Sequence, residues 1–271
     1  VFVSILRAEF KKLTADYRNY FLNYIVGHAT LFLLAVGLFS AFAHTTSQAP
    51  SSTLAFFFAL LFWYYSGDAI GITGQIVSEE LMLGTFEQLL LTKGSIKRIF
   101  LARLIVQFIF QSMFALVFFS VLVSIFGMWG VFFGLGNRVL ALCIVFILTV
   151  LGLYGMGFVV AGLSLVFKQA GAVSSVLTYT VLFFTGSIVN VDRIPAVVRP
   201  LVYLIPATAG NSLLRADILP AEGLAAVELA TNPMFLYLVV LVGLWLFFGN
   251  GIFNFCLKSA MRKGNLHSYY F

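Results

Sequence analysis

The chain has 271 residues, of which 61% are apolar, 17% aromatic and 10% charged, with a formal net charge of +6 and a mean hydropathy of +1.04. A soluble domain carries roughly 25% charged residues and keeps about a quarter of its unfolded surface in water, so this composition excludes a soluble enzyme and turns most of the chain toward lipid. Because a helix needs about 20 residues to cross ~30 Å of hydrocarbon, six spans and their connections occupy nearly all of it, and residues 1–271 read as a single all-α transmembrane domain.

The first stretch carries Arg7, Lys11, Lys12 and Arg18 and has no apolar region ending in a small-residue cleavage site, so it is not expected to be a cleaved signal peptide. Leu6, Phe10, Leu13 and Tyr17 recur on one helical face while the basic residues occupy others. That pattern predicts an amphipathic helix over 1–19 lying in the membrane interface, either as an anchor or as a dock for a partner. Between Arg18 and Asp68 no Asp, Glu, Lys or Arg occurs. The polar run His44 to Thr53, with Pro50, divides this interval into span one, about Tyr20 to Ala43, and span two, about Leu54 to Val77. Uncharged intervals from Arg103 to Arg138, Arg138 to Lys168, Lys168 to Asp192 and Glu228 to Lys258 supply spans three to six.

Ile194 to Leu214 is almost as apolar, but Pro195, Pro200 and Pro206 interrupt it, which disfavours a seventh continuous span. Parity agrees. Six spans place both basic termini on one side and put twelve Lys and Arg there against Arg138, Arg193, Arg199 and Arg215 on the other, as the positive-inside rule requires. Residues 191–232 are therefore expected to hold a broken, re-entrant segment, tolerable only where its backbone is buried in protein.

Within the spans, Asp68 is the one acidic residue far from a boundary. It has two readings: a site for a cation or a polar group of a substrate, or a hydrogen-bonding link to a neighbouring helix, with Tyr64 and Tyr65 one turn away. Gly67, Gly71 and Gly74 follow the spacing that lets helices approach closely. The aromatic cluster Phe56, Phe57, Phe58, Phe62, Trp63, Tyr64 and Tyr65 suits lipid-facing packing or an interface belt, or else a path for an amphipathic cargo. On the cargo reading the candidate path residues are Phe58, Phe62, Tyr65 and Asp68. Cys143 and Cys256 sit in apolar stretches and read as small hydrophobes. The histidines lack metal-ligand spacing, and the one histidine downstream of Ser164, His267, lies past the last span, so no metal and no catalytic residue is expected.

The loop after span two, residues 78–95, reads SEELMLGTFEQLLLTKGS. Thr85 and Gln88 have capping-box spacing, Gly84 suits the turn before them, Glu87 falls in a first turn, and Lys93 with Gly94 marks an end. Together they predict a two-turn helix, Phe86 to Lys93. So short a helix needs a surface for Phe86, Leu89, Leu90 and Leu91.

The order E-x-x-x-G-T-x-E-x-L-L-x-T, here Glu80, Gly84, Thr85, Glu87, Leu89, Leu90 and Thr92, resembles the ATP-binding-cassette exporter permeases of the second type. The layout of interfacial helix, six spans, inner loop helix and Pro-broken outer segment extends the resemblance over the whole chain, although Lys93 stands where such permeases commonly have Pro. It implies that the loop helix couples to a separate ATPase subunit through Glu79, Glu80, Gly84, Thr85, Phe86, Glu87, Gln88 and Leu90. It also implies pairing with a second copy, a homodimer above all, and an exit gate near Phe183, Phe184, Thr185 and Ser187. The chain contains no G-x-x-x-x-G-K-[ST] and no Gly-Lys pair, so ATP and Mg are expected on the partner and no cofactor on this chain. The expected role is export of an amphipathic, lipid-like or drug-like cargo, a glycolipid or polysaccharide included, by a multi-pass protein of the plasma (inner) membrane with both termini cytoplasmic. No nucleic-acid partner is expected. An ion-coupled secondary transporter using Asp68 is the alternative, although such proteins usually show internal repeats with paired broken helices, and no repeat is evident here.

Overall fold

A computed structural model describes residues 2–45, 50–91, 96–167, 171–185, 191, 194–220 and 222–263. Thr92, Lys93, Gly94, Lys168, Ser187 and Arg193 fall outside them, and with them the expected end of the loop helix and part of the expected gate. Helices α1 (Phe2–Asn19) and α2 (Phe21–Thr45) are followed by α3 (Pro50–Ser66) and α4 (Thr73–Met82), which a π-helical turn, Gly67–Ile72, joins into one rod. Then come the short α5 (Phe86–Leu91), the long α6 (Ile96–Ile125), α7 (Trp129–Phe133), α8 (Val139–Phe167), α9 (Gly171–Phe184), the pair α10 (Arg199–Tyr203) and α11 (Pro206–Leu213), and finally α12 (Pro233–Lys263). No strand occurs among the described residues. The protein is an all-α membrane protein.

Five helical stretches are long and apolar enough to cross a bilayer: 21–42, 51–82, 96–125, 136–167 and 233–262. The expected fifth span is represented by α9, which has 14 residues and so extends about 21 Å, less than the ~30 Å hydrocarbon layer. The third span starts earlier than its charges suggest. Arg103 lies two turns inside α6, which is tolerable because its guanidinium is paired.

Span two is the axis of the bundle: 78% of its apolar window is buried, against 17%, 28% and 22% for α2, α6 and α12. The aromatic cluster is accordingly neither lipid-facing nor an interface belt. Phe56, Phe57, Phe58, Phe62, Trp63, Tyr64 and Tyr65 are all buried, and rings such as Phe62 and Tyr65 pack on Phe146 of α8. A helix that is apolar all round belongs in the middle of a bundle, where every face meets another helix.

Glycines on α8 let two neighbours come close. A methyl group at Gly155 would meet the backbone of Trp245 and Leu246 at 2.8 and 2.9 Å, which seats α12 against α8. One at Gly157 would run into the Ala69 carbonyl inside the π turn. Of the three glycines singled out on span two, Gly74 does face α8, at Val160, whereas Gly67 and Gly71 face open space. The close-packing role thus rests largely on the partner helix.

The Pro-broken stretch forms two short helices whose exposed carbonyls are met by side chains. Trp245 Nε1 donates to the Leu204 carbonyl at 2.7 Å and the Tyr237 hydroxyl to the Tyr203 carbonyl at 2.9 Å. Asn211 Nδ2 reaches the Thr185 carbonyl at 2.8 Å, closing the end of α9. Arg138 donates to the Ile218 and Pro220 carbonyls where a second π turn, Leu214–Ile218, ends. Broken backbone in an apolar medium needs such partners.

Substituting Gly157 by Val should lower stability by about 1–3 kcal/mol through overpacking. Ala at Gly67 or Gly71, where helix propensity favours Ala by up to ~1 kcal/mol, should be neutral or stabilising. Thermal unfolding of the three variants in detergent checks the contrast, and equal Tm values for Gly157→Val and wild type would refute the contact.

Candidate functional site

The loop after span two is folded back on the bundle by a short series of hydrogen bonds. The rod ends at Met82, where the Leu83 N–H donates to the Glu79 carbonyl at 2.9 Å. Gly84 then adopts φ 67, a left-handed turn natural to glycine, with its N–H on the Leu81 carbonyl and that of Thr85 on the Glu80 carbonyl at 3.0 Å. Helix α5 begins at once, the Leu89 N–H donating to the Thr85 carbonyl at 3.1 Å. The Thr85 hydroxyl does not make the expected capping box with Gln88. It donates instead to the Glu80 carboxylate, a charged and therefore stronger acceptor.

Glu80 is the centre of this arrangement. Only 6% exposed, it accepts from Arg103 Nη1 of α6 at 2.7 Å and has Lys12 of α1 at 3.7 Å. Arg103 in turn donates Nε to Glu9 Oε2 at 3.0 Å and Nη2 to Glu9 Oε1 at 3.3 Å. One guanidinium thus ties α1 to α6 and, through Glu80 and Thr85, to the first residue before α5. Ring stacking adds a second hold on α1: Tyr17 lies 3.8 Å from Tyr24 and 4.9 Å from Phe110, centre to centre. Burial, with Tyr24 alongside, pushes the Tyr17 phenol well above its ordinary pKa.

Phe86 is fully buried among Val77, Phe100, Leu165 and Phe253, so the short helix finds its surface on the ends of four helices of its own chain. Of the other residues expected at a partner contact, Gly84, Thr85, Glu87 and Leu90 are half-buried, and Glu79 and Gln88 are exposed. Glu79 accepts from Gln75 Nε2 at 2.6 Å. The structure brings up two residues that the sequence reading passed over, Met82 and Leu83, exposed to 57% and 74%, and leaves Leu91, expected to need a surface, 86% exposed. The available signal was the helical period. Leu91 stands five residues from Phe86, off the face that Phe86 and Leu90 share.

The expected path residues separate into three places. Phe58 and Tyr65 line an apolar groove of ≈ 640 Å³ between span two, α6, α7 and α8, whose walls include Phe108, Leu116, Trp129 and Phe146. Phe62 is sealed in the core. Asp68, also buried, accepts from the Tyr154 hydroxyl of α8 at 2.6 Å, an interhelical link of the kind expected, though to a tyrosine other than Tyr64 or Tyr65. Phe183 is exposed, and Phe184 packs on the small cluster of Val191, Ile194 and Val202, away from the groove.

A family model for the ABC-2 type transporter matches residues 1–219. The chain belongs to this family. The match takes in α1, the pinned loop and the bundle as far as the second π turn, while α12 lies beyond it. No curated protein matches the chain. An ABC-2 protein of this kind is the membrane-embedded permease part of an ABC transporter; it is not itself the catalytic part, and members of the family work in the bilayer with an ABC ATPase subunit.

In this ABC-2 permease, Arg103→Ala leaves two partly buried carboxylates without their shared cation. The expected loss is about 2 kcal/mol of stability, with faster proteolysis across the basic residues of α1. Arg103→Lys, which keeps the charge but loses the fork, should recover only part of it. Unfolding in detergent and limited proteolysis measure both, and wild-type behaviour of Arg103→Ala would show the pairing to be idle.

Proposed function

We propose that this chain is the permease subunit of an ATP-driven exporter and that the loop helix α5 is where a separate ATPase subunit grips it. The observation that carries the reading is the pairing of a pinned base with an exposed apolar edge. Glu80, Thr85 and Phe86 hold the loop rigidly to the bundle, while Met82, Leu83, Gln88 and Leu91 project from it. Exposed Leu on a membrane-facing helix is ordinary, but Leu83 and Leu91 belong to a loop between spans, where apolar exposure marks an interaction surface.

On this reading α5 lies on the cytoplasmic side of the plasma (inner) membrane, with both basic termini, and α9 belongs to the fifth of six spans. Two copies form the pore as a homodimer. ATP and Mg bind to the ATPase partner. Glu79 and Glu87 beside the apolar edge suit a partner groove with apolar floor and basic rim. The inward residues Glu80 and Phe86 act as supports that keep the edge in place. Force applied to α5 passes through Glu80 and Arg103 into span two and α6, so a difference in partner affinity between two states of the bundle is what shifts the pore. An amphipathic or lipid-like cargo, a glycolipid-linked polymer among the options, is supported by the aromatic groove at Phe58 and Tyr65, which offers apolar wall and few fixed charges.

The deciding experiment is co-purification in mild detergent with an ATPase assay. Leu83→Glu together with Leu91→Glu should weaken capture of the nucleotide-binding subunit about 30-fold or more, the effect of losing a central anchor worth ~2 kcal/mol. Glu87→Arg should release the partner or uncouple its turnover. Membrane insertion and Tm of both variants should match wild type. Undiminished capture and turnover would remove α5 from the interface.

A further inference from the structure

We propose that Asp68 carries an exchangeable proton that enters and leaves on the α5 side of the bundle by way of Gln107. The carboxyl group is 2% exposed and sits inside the π turn of the central rod. Oδ2 accepts from the Tyr154 hydroxyl at 2.6 Å, whereas Oδ1 accepts no hydrogen bond from the protein. Gln107 of α6 stands beside the carboxyl group and also lines a polar cavity of ≈ 270 Å³ with Glu9, Lys12, Gln75, Glu79 and Arg103. Gln107 thus stands between the cavity and the buried acid.

The surroundings contain nothing else that could neutralise a carboxylate. The groups that face it are Tyr154 from α8, Tyr64 and Tyr65 from its own rod, Tyr17 from α1 and Gln107 from α6. α9 also packs on the π turn and holds no acidic or basic residue. Arg103, one turn from Gln107 along α6, is committed to Glu9 and Glu80, and among the described residues no cation lies within 4 Å of Asp68. An isolated carboxylate in this medium is costly, and the cost is removed by one positive charge. A metal ion is usually held by several such side chains, and the described residues contain no group of three or more His, Cys, Asp or Glu that could hold one. A proton needs a single lone pair, and Oδ1 has one free.

The step balances simply. A hydronium ion in the cavity gives its proton to Oδ1 and is left as water, the carboxylate becoming a carboxylic acid whose new O–H donates to the Gln107 amide oxygen; release returns the proton to water and reverses both. The consequence reaches the packing, because Tyr154 joins Asp68 to α8 close to the point where Gly157 rests on the Ala69 carbonyl of the same π turn. Loading and unloading Asp68 therefore changes a bond at the contact between the central rod and α8. This inference does not depend on the ATPase reading.

Infrared difference spectroscopy of the full chain in lipid nanodiscs, stepped from mildly acidic to mildly alkaline pH, tests it. The expected result is a protonated-carboxyl band whose intensity falls as pH rises, which is absent in Asp68→Asn and moved in frequency in Tyr154→Phe. Gln107→Leu should slow hydrogen–deuterium exchange of that band several-fold while leaving the fold intact. Loss of the band on adding sodium at constant pH would assign the site to a metal cation and overturn the proton assignment. A band that is missing at every pH, or one that never changes with pH, would overturn it equally.

Discussion

Hydrocarbon supplies no hydrogen bonds, so each charge and each unpaired carbonyl inside this bundle has to be met by another part of the chain. The clearest case is the Glu80 carboxylate, which the Arg103 guanidinium, the Lys12 ammonium and the Thr85 hydroxyl all approach. That shared acceptor adds to the Glu9–Arg103 pair and the Tyr17 stacking that hold α1, and to the buried Phe86 that holds the loop after span two. There α1, the central rod, α6 and the short α5 meet at one corner. Arg suits the position because its planar fork engages Glu9 with two nitrogens and Glu80 with a third.

The same requirement shapes the opposite part of the molecule. Pro195, Pro200 and Pro206 break the chain after α9, and carbonyls along this stretch are taken up by Trp245, Tyr237, Asn211 and Arg138. These donors come from α12, α11 and the segment just before α8, which binds the broken stretch to the bundle. Between the two regions runs the central rod, whose π turn carries Asp68 and meets Gly157 of α8. π turns inside long helices recur at functional sites, and here the turn holds a fully buried acid.

On the proposed role of α5 as the ATPase contact, the layout would carry a pull at one end further in. α5 cannot move without the rod, because Phe86 is locked among Val77, Phe100 and Phe253 and Thr85 is bonded to Glu80. The rod cannot move without α8, because Gly157 leaves no room between them. Stiff contacts of this kind transmit displacement as a unit, which is what coupling a distant ATPase to a pore demands.

Much of the plan was legible in the residues themselves. Uncharged intervals long enough to cross a bilayer located the five long apolar helices, the prolines marked the break, and the order around Gly84 and Thr85 pointed to the family and to a short helix starting at Phe86. Each of these follows from length, hydropathy or backbone chemistry, which are local. Which side chains meet across the bundle is not local. That Glu80 and Phe86 turn inward while Leu83 and Leu91 turn outward, that the aromatic cluster fills the core instead of facing lipid, and that Asp68 bonds to Tyr154 were decided only when span two took the centre of the bundle. An apolar helix reads alike whether lipid or protein surrounds it, and only the packing of its neighbours tells the two apart.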